Sequence, residues 1–188
     1  PELVAAAGAI PARTLQEAAY LAAAQTRGYA GPPVEEVIAR ERKQLQVRAA
    51  ELRKRLNPGQ KYIRGLFSGG TLASEALMIW MQEGILGDVY SNIATVPRLR
   101  LPDSTRSQGH TVVDLGEDEF TVGRPHPMID NDLRIRRLMQ EAADPEVAVV
   151  MLDVVLGYGA HPDPASELAP AIRQAREKAA EDGRDLII

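Results

Sequence analysis

The sequence predicts an open parallel α/β sheet covered by helices, preceded by a helical appendage. Three observations carry this. Strand-like apolar runs at Tyr62–Phe67 and Val147–Leu152 alternate with helical patterns over 71–81, 132–143 and 165–180, as in a sheet whose strands are joined by crossover helices. The run from Val147 is six successive apolar residues, the composition of a strand covered on both faces. Finally, Asn57, Pro58 and Gly59 interrupt a charged helical stretch just before the first strand. The chain therefore divides into an appendage or linker over 1–57 and a sheet domain over 58–188.

Each element has its own reason. Thr14 with Glu17 forms a capping box; Leu15, Ala18, Ala19, Ala22 and Ala23 then recur at helical spacing until Gly28. A second helix is predicted over 34–56. Its Ile38, Leu45, Ala49, Leu52 and Leu56 suit either a short dimer helix or, with Arg42 at a seam position, a helix laid across its own domain. Its basic residues are interleaved with Glu41 and Glu51, the pattern of a solvated face.

In the sheet domain, Leu72, Ala73, Ala76, Leu77 and Trp80 share one face of a helix that Gly84 closes. A second strand is expected within 87–96. The stretch 99–119 is rich in Pro, Gly, Ser, Asp and Arg, with Thr111, Val112 and Val113 as a short strand or hairpin arm. Asp144 and Pro145 end the next helix, and Gly183 ends the one after it. Leu186, Ile187 and Ile188 look like the opening of another strand, so the domain is expected to be cut at its C-terminus.

Composition excludes several classes of function. Among 188 residues, 22 Lys and Arg face 26 Asp and Glu, a net charge of −4. This is not the footprint of a nucleic-acid binder, and an aromatic content of 4% offers no base-stacking platform. No apolar run reaches the roughly 20 residues of a membrane span. The absence of cysteine removes disulfides, thiol chemistry and Cys-rich metal sites, and is compatible with a cytoplasmic home. Three histidines among scattered carboxylates make no metal spacing.

Ligands of such a sheet bind beyond the carboxyl ends of its strands, and two turns occupy that position. Ser68, Gly69, Gly70 and Thr71 join the first strand to its helix. Paired glycines allow close approach, and the unsatisfied amides of the helix start can seat a phosphate or carboxylate; alternatively the glycines only turn the chain and Ser68 or Thr71 caps the helix. The second turn follows Asp153, an acid straight after a buried run that needs partners. Gly157 and Gly159 suggest a tight backbone passage. His161 is a weak acid–base candidate beside Asp153, and Asp163 can cap the following helix. A third candidate is the segment 125–130, where two prolines flank His126 and Asp130 or Asn131 can cap the next helix. Arg98, Arg100, Arg106 and Arg124 could neutralise an anionic substrate or simply be solvated.

The loops carry a resemblance. Phe67-Ser68-Gly69-Gly70-Thr71-Leu72-Ala73-Ser74-Glu75-Ala76 resembles the first strand–turn–helix of the second domain of the succinyl-CoA synthetase alpha subunit. Pro125-His126-Pro127-Met128-Ile129-Asp130 with Leu133-Arg134, and Asp144-Pro145 followed by the run from Val150 to His161, resemble the FdrA family related to that subunit. The resemblance covers residues 60–188. It implies a flavodoxin-like CoA-ligase domain within an acyl-CoA synthetase-related protein that transfers acyl, carbamoyl or phosphoryl groups. CoA is implied for the full-length protein, bound mainly outside this segment, with a small anionic substrate and other domains or subunits as partners; a homo-oligomer is compatible. Some family members look like components of an oxamate carbamoyltransferase, and a noncatalytic assembly domain is the competing class. The synthetase carries phosphate on a histidine in a Gly-His-Ala-Gly loop. No such loop occurs here, so His110 and His161 inherit no such role.

Overall fold

A computed structural model describes residues 2–26, 28–82 and 86–188, which form two compact units, Pro1–Lys54 and Arg55–Ile188. The first is helical: α1 (Glu2–Ala6), α2 (Leu15–Ala24) and α3 (Val34–Arg53). Thr14 caps α2, its Oγ1 accepting the Glu17 N–H at 3.0 Å. The return bond of the expected capping box is displaced by one residue, because Glu17 accepts from the N–H of Arg13 instead. Tyr20 of α2 donates its hydroxyl to Glu41 of α3 at 2.7 Å, and the Gln16 amide reaches the same carboxylate. The predicted second helix runs to Leu56; α3 stops at Arg53, and Pro58 disfavours helical backbone in the residue before it. Leu45 and Val47 stand exposed on α3.

The second unit holds β1 (Tyr62–Phe67), α4 (Gly70–Met81), β2 (Val89–Ser91), β3 (His110–Asp114), α5 (Asp118–Thr121), α6 (Asp132–Ala142), β4 (Val147–Leu152) and α7 (Pro164–Glu181). Its strands pair in the order β2-β3-β1-β4, every pair parallel. This is the open, helix-flanked sheet of the flavodoxin-like class. Ile187 extends it, bonding to β4 through Val150 N–H (2.8 Å) and Ala148 C=O (3.2 Å). The Leu186-Ile187-Ile188 run thus pairs where a strand was expected. Within the expected 87–96 span only Val89–Ser91 is strand; Pro97 then opens a single 3-10 turn. Gly84, expected to close α4, lies outside the described residues.

Alternating side chains send β1 and β3 into two cores. Leu66 and Val113 pack with Leu138, Ala142, Ala171 and Ala175 of α6 and α7. Phe67 and Val112 face the other way, onto Ala73 and Ala76 of α4. β4 begins buried but opens at Met151, which is 45% exposed, so its run is not covered on both faces throughout.

Charge also sits inside the fold. Arg64, in the middle of β1 and 2% exposed, pairs with Glu141 of α6 at 2.9 Å and with Asp144 at 3.0 Å. Glu141 also takes Arg137 at 2.7 Å, and Arg137 holds the Ser104 carbonyl and the Ser107 hydroxyl at 2.8 Å each. This network pins the irregular 104–107 segment to β1 and α6. Removing one member of such a buried set strands the others without compensation.

Candidate active site at the carboxyl rim

The polar residues that end β1, β3 and β4 meet at one rim, because parallel strands deliver all their carboxyl ends to the same edge. Ser68 follows β1 and Asp153 follows β4. Asp153 Oδ1 accepts the Ser68 N–H at 3.0 Å, and its Oδ2 accepts the Ser68 hydroxyl. Behind them Arg134 of α6, 1% exposed, donates to Asp153 Oδ1 at 2.8 Å and to the Asp153 carbonyl. Burial pulls the Arg134 guanidinium below its ordinary range while the Asp153 charge pushes it back up.

The third strand contributes Asp114, which is 2% exposed. Asn92 fixes its backbone through two bonds of 2.9 Å. Oδ1 of the Asp114 carboxylate accepts the Gly116 N–H at 2.8 Å; among the described residues Oδ2 has no donor. That oxygen lies 3.0 Å from the point a Cβ on Gly70 would occupy. Burial raises the Asp114 carboxyl above the usual range, Gly116 N–H and His126 oppose the rise, and Asp153 adds to it.

Beside Asp114 the chain passes through Gly116, where a Cβ would meet the Ser68 carbonyl oxygen at 2.6 Å and His126 Nε2 at 2.8 Å. His126 Nδ1 accepts the Met128 N–H at 3.2 Å, so Nε2 is the nitrogen turned to the rim.

The start of α4 faces this cluster. Gly69 is its N-cap residue in extended backbone, and no side chain caps the helix. A Cβ on Gly69 would meet nothing within 4 Å, which leaves the approach to the Gly70 and Thr71 amides open. An uncapped helix start leaves backbone N–H donors unsatisfied at the positive end of the helix dipole.

A profile of the CoA-ligase family matches residues 66–186, more than half of the chain. The chain belongs to the CoA-ligase family. It is also 54% identical over 139 residues to an uncharacterized protein, YahF, of Escherichia coli (strain K12), in a stretch covering 74% of this chain and 27% of that relative. The chain thus spans about a quarter of the length of the curated relative it matches. Both findings are consistent with an FdrA-type member of the family.

Of the residues expected at the site of this CoA-ligase domain, Ser68, Asp153 and His126 converge at the rim, with Gly69 and Gly70 before them and Thr71 exposed at the helix start. The Ser68 hydroxyl donates to Asp153, so it neither caps α4 nor stands free as a donor to an anion. Gly157 and Gly159 have φ of +140° and +85° with no atom within 4 Å of a Cβ, so they turn the chain in open space and not through a tight passage. The His161 N–H donates to the Met128 carbonyl at 2.9 Å. Its Nδ1 accepts the Asp163 N–H at 3.1 Å, and Nε2 faces Glu167 at 3.4 Å. The ring braces the loop to α7, whose start Asp163 caps through the Ser166 N–H at 3.2 Å. Asp130 is exposed and accepts the Asp132 N–H at 2.8 Å; Asn131 is the N-cap residue of α6 without a capping bond, its amide given to Glu167 at 3.0 Å.

Among the candidate cations, Arg98 is paired with Asp88 at 2.7 Å and Arg106 with Asp103 at 3.7 Å, all exposed; Arg134, which was not among those candidates, meets Asp153 at the rim. Asp114 and Gly116 escaped sequence reading, as did the place of Arg134 at the rim. Asp114 had a signal, since it ends an apolar strand run as Asp153 does; Arg134 was quoted only within the family-like motif, and nothing local pointed to its pairing with Asp153.

Among the described residues no helix is long and apolar enough to cross a membrane, and no three His, Cys, Asp or Glu are grouped to hold a metal ion.

Proposed function

We propose that this domain seats, at the start of α4, the small anionic group that the whole protein transfers: a phosphoryl, carboxylate or carbamoyl group. One observation carries the reading. The Gly70 and Thr71 amides stand uncapped and approachable, at a rim where the Asp153 charge is already met by Arg134. An anion there gains backbone donors and the positive end of a 12-residue helix. Donors aimed at a developing oxyanion are what acyl or carbamoyl transfer requires, so a carbamoyltransferase component falls within the same reading.

CoA is given no contact at the rim in this reading. The Arg134 guanidinium, which meets Asp153 at the rim, is buried and committed to that carboxylate, so it is not assigned to the CoA phosphates. In this reading CoA is held elsewhere in the whole protein, and no step is assigned to it here.

The test is titration of acetyl phosphate, carbamoyl phosphate and CoA into the whole protein and its Gly70→Asp variant. The variant places a carboxylate at the seat and is expected to weaken both phosphates by about tenfold or more. Unchanged affinity removes the α4 start from the site.

A second reading, a noncatalytic assembly domain, draws on one observation. Leu77, Met78 and Met81 of α4 with Val96 and Leu99 line an open apolar groove of about 240 Å³, the character of a surface that meets another domain or subunit. Carbamoyl transfer or CoA-thioester formation by the whole protein supports the enzyme; stable partner capture without turnover supports assembly.

A further inference from the structure

We infer that Asp114 is the specificity-determining group of the α4 seat: it holds a proton on Oδ2 when an anion is bound and donates it to an anion oxygen, so that anion capture and proton uptake occur together. The inference rests on the seat proposed above and adds a group that neither the sequence motifs nor the family match assigns.

The geometry sets the Asp114 carboxyl against the seat. Its Oδ1 is occupied by the Gly116 N–H. Its Oδ2 has no donor among the described residues and stands beside Gly70, the first residue of α4. An anion on the Gly70 and Thr71 amides would therefore lie against this oxygen. Two facing oxygens of like charge repel, the more so when one belongs to a side chain only 2% exposed. A single proton between them converts the repulsion into a hydrogen bond to a charged acceptor, which is a strong one.

The surrounding charges agree. From the end of β4, Asp153 faces Asp114 and disfavours a second carboxylate, although Arg134 of α6 offsets much of that charge. From the loop before α6, His126 turns Nε2 toward Gly116 and favours the carboxylate. Glu119, at the α5 side, is held off by the Asn92 amide at 3.1 Å. Within this set no cation is paired with Asp114, and burial lifts its carboxyl above the ordinary range. A bound anion lifts it further.

The sign follows from linkage. Affinity is greatest where Asp114 is protonated in the free protein. It falls as pH rises through the free-state value, by about tenfold per pH unit when a single proton is taken up. A seat of this kind prefers anions that accept a hydrogen bond over those that carry their own hydrogen toward Oδ2.

The experiment uses sulfate, whose own charge is constant over the range, titrated calorimetrically into the 188-residue chain from about pH 4 to 8. Buffers of different ionisation enthalpy count the protons taken up. The expected result is uptake of one proton per sulfate and an affinity that falls with pH. Asp114→Asn, neutral at every pH and still a donor, should bind with an affinity independent of pH. Sulfate binding without proton uptake in the parent chain, or an unchanged pH profile in Asp114→Asn, overturns the role of Asp114. Absence of sulfate binding, or equal binding by Gly70→Asp, overturns the seat itself, so the two failures are told apart. The proton count in the parent chain decides the matter even if Asp114→Asn does not fold.

Discussion

Ser68 and Asp153 hold the ends of two neighbouring strands together. Ser68 follows β1, Asp153 follows β4, and the carboxylate of the second accepts both the N–H, at 3.0 Å, and the hydroxyl of the first. Arg134 closes the arrangement from α6 at 2.8 Å. The two loops are thereby fixed to each other before any ligand arrives, and the α4 start is presented in a set position.

This clasp predicts a large response to its removal. Asp153→Ala leaves the Arg134 guanidinium buried without a counter-charge and Ser68 without an acceptor, and should cost about 3–5 kcal/mol of stability. Ser68→Ala removes a hydrogen bond to a charged group and should cost about 1.5–3 kcal/mol. Chemical denaturation of the variants checks both values. An Asp153→Ala chain as stable as the parent would show that the clasp carries no stability.

Two glycines of the rim should behave oppositely. Gly116→Ala drives a methyl onto the Ser68 carbonyl at 2.6 Å, a backbone atom that cannot rotate aside; overpacking of this kind costs about 1–3 kcal/mol. Gly69 is extended, with φ of −170° and no atom within 4 Å of a Cβ, so Gly69→Ala should cost less than about 1 kcal/mol, the penalty of Ala at an N-cap. Thermal melts of the pair, run side by side, test the order; the reverse order would contradict the packing at Gly116.

His110 should make stability depend on pH. Its Nδ1 accepts the Ile63 N–H at 3.1 Å and its ring meets Tyr62 edge-on. Burial first, and the Arg64 charge second, hold its pKa below the ordinary 6.5. The folded state thus disfavours the proton. The stability His110 contributes is complete above 6.5 and is lost as pH falls from there through the depressed folded value. His110→Asn, whose side-chain oxygen can replace Nδ1 as acceptor, should flatten this part of the profile. Unfolding free energies measured from about pH 7.5 downward test it, and parallel profiles for the two proteins would exclude His110 as the source.

The strands were legible because burial in a parallel sheet demands continuous apolar runs. Tyr62–Phe67 and Val147–Leu152 have the bounds their hydrophobic patterns suggest. β2 was overextended because only three residues pair before the chain turns toward Pro97. The rim was half legible. Ser68, Gly69, Gly70 and Asp153 stand beside recognisable strand ends, whereas the pairings of Arg64 and Arg134 were not legible, since nothing local identifies a partner 77 or 19 positions away.

By itself the sequence determined the alternation of strand and helix, the end of each strand where chemistry can gather, and the family. Those properties rest on local periodicity and on contiguous motifs, which the order of residues contains. Tertiary structure alone decided that Asp114 joins Ser68 and Asp153, that Arg134 meets Asp153, and that Gly157 and His161 serve the loop's path. Such pairings depend on strand order and on how far each group is removed from water, and neither is set until the sheet has assembled.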